Sequence, residues 1–185
     1  MRWPRRGDST GGGDTEQGSG RWAIADVAIA GREPPVGAPI VPRQTGPHST
    51  LGPDQVGAAL HDLDITFVRD ADGGFVAMWE RHAVLFALEG PADDILVIRA
   101  RPLGTVPVQW RHRAYEVVNE WNHTRRYVKA YVGDVNGLDQ LPIYAEMQLP
   151  FGAGVQCGVL ADLLNLAVTE LGSFVDWLHD GGGLL

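Results

Sequence analysis

From residue 51 onward, apolar and polar positions follow two different periods, and the switches between them divide the chain into elements. Pro53 suits a first helical position, and Val56, Leu60 and Leu63 recur at four and three residues, which places them on one face of a short helix. Ile65 to Arg69 and Phe75 to Leu88 read as strands, joined by the polar turn Asp70-Ala71-Asp72-Gly73-Gly74. A turn with Gly90-Pro91 separates the second strand from Ile95 to Arg101, where Leu96 and Ile98 alternate with Val97 and Arg99. These connections are too short for the crossover that parallel neighbours need, so the three strands are antiparallel.

Pro107 opens a second helix that runs to about His123, with Trp110, Ala114, Val117, Val118 and Trp121 on one stripe and Arg111, Arg113, Glu116 and Glu120 off it. Val128, Ala130 and Val132 then alternate with Lys129 and Tyr131, and Ile143, Ala145 and Met147 alternate with Tyr144, Glu146 and Gln148. The segment Gly133-Asp134-Val135-Asn136-Gly137 makes these a second hairpin. The strongest helical period spans about Val155 to Asp180, through Val159, Leu163, Leu164, Ala167, Leu171, Phe174, Val175 and Leu178. With Leu160, Leu166 and Val168 added, this helix is apolar over more than half its circumference, which predicts burial on two sides, by its own sheet and by another subunit. Helix, three strands, helix, two strands, helix is an α+β order, with a five-stranded antiparallel sheet packed by helices.

Composition changes this picture at the ends. Residues 1–50 hold 9 of the 24 Gly and 6 of the 12 Pro, and they read as a disordered leader. Asp26 interrupts the apolar patch from Trp22 to Ala30, so no secretory h-region forms. The folded domain is expected over 51–180, with Gly181-Gly182-Gly183 opening a flexible tail over 181–185. The net charge of −8 is an average of unlike parts, because the leader carries +1 and residues 51–185 carry 9 Lys+Arg against 18 Asp+Glu. An acidic domain argues against nucleic acid as a partner. The longest uninterrupted apolar stretch, Ala83 to Leu88, is six residues, so no membrane span is expected. One cysteine, Cys157, excludes an internal disulfide and a thiolate metal cage, which suits a cytoplasmic protein.

Chemistry is sparse. Asp62/Asp64, Asp70/Asp72 and Asp93/Asp94 are read as turn and cap residues, since Asp hydrogen-bonds its own backbone in tight turns. Asp70 begins like a calcium loop, but Arg81 stands where the twelfth-position Glu is needed. His61, His82, His112, His123 and His179 lie on separate elements without a chelating spacing. Cys157 is read as a small packing residue near the start of the last helix rather than a nucleophile. Neither G-x-S-x-G nor a phosphate loop nor a dinucleotide fingerprint occurs. No cofactor, metal or catalytic residue is expected.

One constellation stands out, running from Val117 to Tyr131. It sets Asn119, Trp121, Asn122, Arg125, Arg126 and the chain's only lysine, Lys129, at the end of a helix and the start of a strand. A structural account has Asn122 capping the last carbonyls, with Arg125 and Arg126 at the helix's negative pole. A functional account makes these six residues a small basic patch able to grip a carboxylate or an acidic peptide.

The run Asn119-Glu120-Trp121-Asn122 through Val128-Lys129-Ala130-Tyr131, with Tyr144-Ala145-Glu146 and Gly154-Val155 before a long last helix, resembles the YbjN-domain family of bacterial proteins over residues 51–180. Members are labelled sensory transduction regulators and look like class I type III secretion chaperones in fold. The resemblance implies a non-enzymatic fold and supplies no catalytic site. Chaperones of the similar fold are usually dimers that clasp an extended client. The expected function is therefore a cytoplasmic, chaperone-like interaction or regulatory module, a homodimer binding a partner polypeptide on the sheet or beside the last helix. The competing expectation is a small-ligand-binding or enzymatic domain using Asn119, Asn122, Arg125 and Lys129.

Overall fold

The long last helix, with an apolar residue every third or fourth position, forms the floor on which the sheet folds. The structure, a computed structural model, describes residues 51–152 and 154–185, so the leader expected over 1–50 lies outside the described residues. In chain order the elements are α1 (Pro53–Asp62), β1 (Phe67–Arg69), β2 (Phe75–Met78), β3 (His82–Glu89), β4 (Ile95–Pro102) and β5 (Val106–Pro107). A 3-10 turn at Val108–Trp110 leads into α2 (Arg111–Thr124), followed by β6 (Lys129–Val132), β7 (Gln140–Leu141), β8 (Ile143–Pro150) and α3 (Cys157–His179). The main sheet has six strands in the order β1-β2-β3-β4-β8-β6, every neighbour antiparallel, and β5 pairs with β7 in a separate ribbon.

The fold class is the expected α+β, with one strand more than the five read from the sequence. The extra strand comes from the run Phe75 to Leu88, which is not continuous. It turns at Trp79-Glu80-Arg81, where the Trp79 N–H donates to the His82 carbonyl at 2.8 Å, and Ala77 faces Val84 across the resulting pair. None of the three turn residues is Gly, Pro or Asn, so the local composition gives no break signal. The ribbon of β5 and β7, two residues per strand, was likewise not foreseen.

Pleating sends alternate side chains to opposite sides of the sheet. Val84, Phe86, Leu96, Ile98, Ala145 and Met147 face the helices and join one core with Leu160, Leu164, Ala167, Leu171, Phe174, Val175 and Leu178 of α3. Each large side chain in this layer contributes about 1.5–3 kcal/mol through burial. α3 lies over β3, β4 and β8, with α1 beside it, while α2 runs along β6. Among the described residues α3 alone is long and apolar enough to cross a membrane, and its buried stripe is used against the sheet.

Trp121 ties three elements together. Its indole is 1% exposed, packs edge-on to Phe174 at 5.0 Å between ring centroids, lies 5.5 Å from Trp177, and donates from Nε1 to the Val128 carbonyl. The tail expected to be flexible folds back over this region. The N–H groups of Leu184 and Leu185 donate to the Leu178 carbonyl, Arg113 donates to the Gly182 carbonyl, and the Leu184 side chain is 5% exposed. Glycine is required for this return, because a Cβ on Gly181 would stand 2.8 Å from the Trp177 ring and Gly183 has φ +54°. The sequence shows a helix stop there, while the docking of Leu184 depends on tertiary packing.

Candidate functional site: the corner between α2 and β6

The carboxamide of Asn122 braces helix to sheet at this corner. α2 places Asn122 one residue beyond the buried Trp121, on the side of the helix that meets β6. Its Oδ1 accepts from the Ala130 N–H at 2.8 Å and its Nδ2 donates to the Ala130 carbonyl at 2.9 Å, as a neighbouring strand would. β6 is the last strand of the sheet, so these are outward-facing backbone groups that no strand among the described residues pairs. Asn122 is thus a cross-element brace rather than the helix cap expected from its position.

Lys129 does the capping. Its Nζ donates to the carbonyls of Asn122 and Arg125 at 3.3 and 3.4 Å, adding positive charge at the negative pole of α2. Arg125 carries its guanidinium over the Trp121 ring, 5.3 Å from the centroid. Of the six residues singled out from the sequence, Asn119, Arg125, Arg126 and Lys129 are exposed, Asn122 is half-buried and Trp121 belongs to the core. The exposed four leave a surface that can donate several charge-assisted hydrogen bonds to a carboxylate.

A second polar group, not anticipated from the sequence, lies on the sheet face turned away from the helices. The pairing register sets Arg99 of β4 opposite Glu146 of β8, and Glu146 opposite Lys129. Arg99 donates from Nε to Glu146 Oε2 at 2.8 Å, the Tyr131 hydroxyl donates to the same oxygen at 3.1 Å, and Gln148 donates to Oε1 at 2.6 Å. Glu89 adds a longer ion pair to Arg99 at 3.8 Å. Arg99 is 1% exposed, and burial opposes its charge, but Tyr131, the hydrogen bond and charge of Glu146, and Glu89 outweigh this and raise its pKa. Burial first, then Glu146, pushes the Tyr131 phenol up against the opposing pull of Arg99. Tyr144, stacked 5.3 Å from Tyr131, is raised by burial against the pull of Arg101 and Arg99. Arg99 stands in the alternating run of β4, but only the register brings residues 47 positions apart together.

His82 lies at the start of β3. It is 7% exposed, stacks on Trp79 with ring centroids 5.2 Å apart and planes 4° from parallel, and its Nε2 has no hydrogen-bond partner among the described residues. Burial lowers its pKa, against an opposing contribution from Asp176 of α3.

The carboxylate pairs serve turns. Asp64 and Asp93 adopt left-handed backbone, at φ 56° and 51°, and Asp70 Oδ1 accepts from the N–H groups of Asp72 and Gly74. No group of three or more His, Cys, Asp and Glu able to hold a metal occurs among the described residues. Cys157, expected to pack at the start of the last helix, is the first residue of α3 and exposed, because the apolar stripe begins three residues later at Leu160.

The YbjN family model, described as "Putative bacterial sensory transduction regulator", matches residues 52–180. Among solved structures, the chain is similar to one described as "Crystal structure of YbjN, a putative transcription regulator from E. coli", with a TM-score of 0.61 and 15% identity over 72% of this chain and 94% of that one. At that identity the likeness shows the fold. No curated protein matches the chain.

Proposed function

The chain belongs to the YbjN family, and from that premise we propose that it is a non-enzymatic, chaperone-like regulatory module of the bacterial cytoplasm, a homodimer that binds a partner polypeptide at the α2–β6 corner. The observation that carries this reading is the pair Arg125 and Arg126, exposed on a loop held in place by Trp121, Asn122 and Lys129, with no carboxylate at ion-pair distance among the described residues. Arg125, already laid over the Trp121 ring, has less side-chain freedom to lose on binding, which favours recognition. Support also comes from the sheet face turned away from the helices, where Arg99, Tyr131 and Gln148 all donate to the Glu146 carboxylate. The competing reading, a small-ligand or enzymatic site formed by Asn119, Asn122, Arg125 and Lys129, is weakened because the Asn122 carboxamide and the Lys129 ammonium are engaged with backbone.

The test is affinity capture from the native bacterium with the full chain and with the Arg125→Ala/Arg126→Ala variant, alongside light-scattering mass. The expected result is a dimer at micromolar concentration and a partner protein retained by the wild type and weakened in the variant. A monomer retaining nothing above background sinks the proposal.

A further inference from the structure

The charges of the folded part are strongly segregated. Between residues 111 and 129 stand five of its nine Lys and Arg, against two Asp and Glu, whereas the remaining residues of 51–185 carry four cations and 16 anions. A stretch of +3 thus sits in surroundings of −12. The two acids of the stretch do not neutralise it evenly. Glu116 lies 3.2 Å from His112 and 3.6 Å from Arg113, and at about 100° per residue Glu116, Glu120 and Arg113 fall on one flank of α2. Arg111, Tyr115 and Asn119 follow one another at four-residue steps on the other flank, the side from which Asn122 reaches β6. Arg125, Arg126 and Tyr127 follow where the helix ends. Arg111, Arg125, Arg126 and Lys129 have no carboxylate at ion-pair distance among the described residues, and Tyr115 and Tyr127 are 47% and 61% exposed.

We propose that this flank is an interaction surface for a short, extended, acidic segment of a partner polypeptide, laid along α2 from Arg111 to Arg126. The inference rests on the partner-binding reading above and names the chemistry of the partner. From Arg111 to Arg126 the helix rise gives about 22 Å, and an extended chain at about 3.3 Å per residue covers it with roughly seven residues. Guanidiniums grip carboxylates bidentately, and the two tyrosines supply flat apolar area with hydroxyl donors at the rim. A polypeptide can confine its negative charge to those seven residues. A nucleic acid carries its phosphates past both ends of the stretch, onto a surface where acids outnumber bases four to one, and repulsion there opposes it.

The test uses the full chain and three fluorescent probes read by anisotropy: a 12-residue peptide rich in Asp and Glu with interspersed Leu, its Asn/Gln analogue, and a 12-nucleotide single-stranded DNA. Binding of the acidic peptide alone is expected, weakening from low to high salt, with a loss of about tenfold or more in Arg111→Gln/Arg126→Gln. Arg69→Gln, on the opposite edge of the sheet, serves as the control that leaves binding unchanged. The double variant should unfold at the wild-type temperature, since Arg111 and Arg126 are exposed, and Arg69→Gln should stay folded with at most a small loss, since Arg69 gives up an exposed ion pair to Asp54 and its place over the Phe75 ring. The inference is overturned if the Asn/Gln analogue binds equally, if DNA binds more tightly, if the double variant is unaffected, or if that variant only converts a dimer to monomer without any peptide binding. Capture of a partner that survives Arg111→Gln/Arg126→Gln would overturn this inference and leave the partner-binding reading standing, whereas absence of any captured partner would defeat that reading itself.

Discussion

Asn122 and Ala130, on different elements, are joined by two hydrogen bonds that reproduce the pairing of a strand with its neighbour. Truncating the carboxamide would leave an N–H and a carbonyl of β6 without protein partners beside a packed helix. Asn122→Ala should therefore lower stability by about 1–3 kcal/mol in urea unfolding. Asn122→Asp should recover little, because a carboxylate accepts from the Ala130 N–H but meets its carbonyl oxygen with like charge. A loss below about 0.5 kcal/mol for both would show that water replaces the brace.

The Arg99–Glu146 pair should behave asymmetrically. Glu146→Leu takes the 2.8 Å carboxylate partner from a buried guanidinium, and the expected cost is about 3–5 kcal/mol. The double variant Arg99→Met/Glu146→Leu removes both charges and should regain most of that loss. A thermodynamic cycle measures the difference, and a double variant no more stable than the single one would contradict this account.

His82 sets an acid limb. Its pKa in the folded state is lowered from 6.5 by burial, so below that value the unfolded chain takes up the proton more readily than the folded chain does. Its contribution to stability is therefore present above pH 6.5 and lost as pH falls through the lowered value. His82→Phe keeps an aromatic ring on Trp79 and removes the unpartnered nitrogen. It should be neutral or stabilising at pH 7 and should flatten the stability profile below about pH 6.5. An unchanged profile would rule out His82 as its source.

Leu184 gives a test at the other end of the chain. Its side chain is buried next to the turn that follows α3, so Leu184→Ala should cost about 2–4 kcal/mol, far more than a change in a flexible tail. Thermal unfolding reads this directly, and an unchanged midpoint would mean that the tail contributes nothing.

The elements most legible in the sequence were those whose pattern is local. The stripe of α3 from Leu164 to Leu178 and the Asp70 to Gly74 turn need only neighbours along the chain and form as read, whereas Val159, expected to open that stripe, is 47% exposed and Leu160 is buried in its place. The turn at Trp79-Glu80-Arg81 was hidden because no breaker residue marks it and both flanking strands are apolar. At the candidate site, the residue types were visible but their partners were not. Asn122 in a helix cannot be told from a cap until β6 is placed beside it, and the surroundings of Arg99 exist only after β4 and β8 have paired in register. The folding-back of residues 181–185 is a tertiary event of the same kind.

The brace on β6 also bears on how copies of the chain can meet. With Val128 and Ala130 occupied by the side chains of Trp121 and Asn122, that border is closed to strand addition, while β1 has no neighbour on its outer side among the described residues. A sheet that grows on one side only cannot propagate into a fibre. Two copies joined through β1 would consume both open borders at once, and the assembly would stop at a pair.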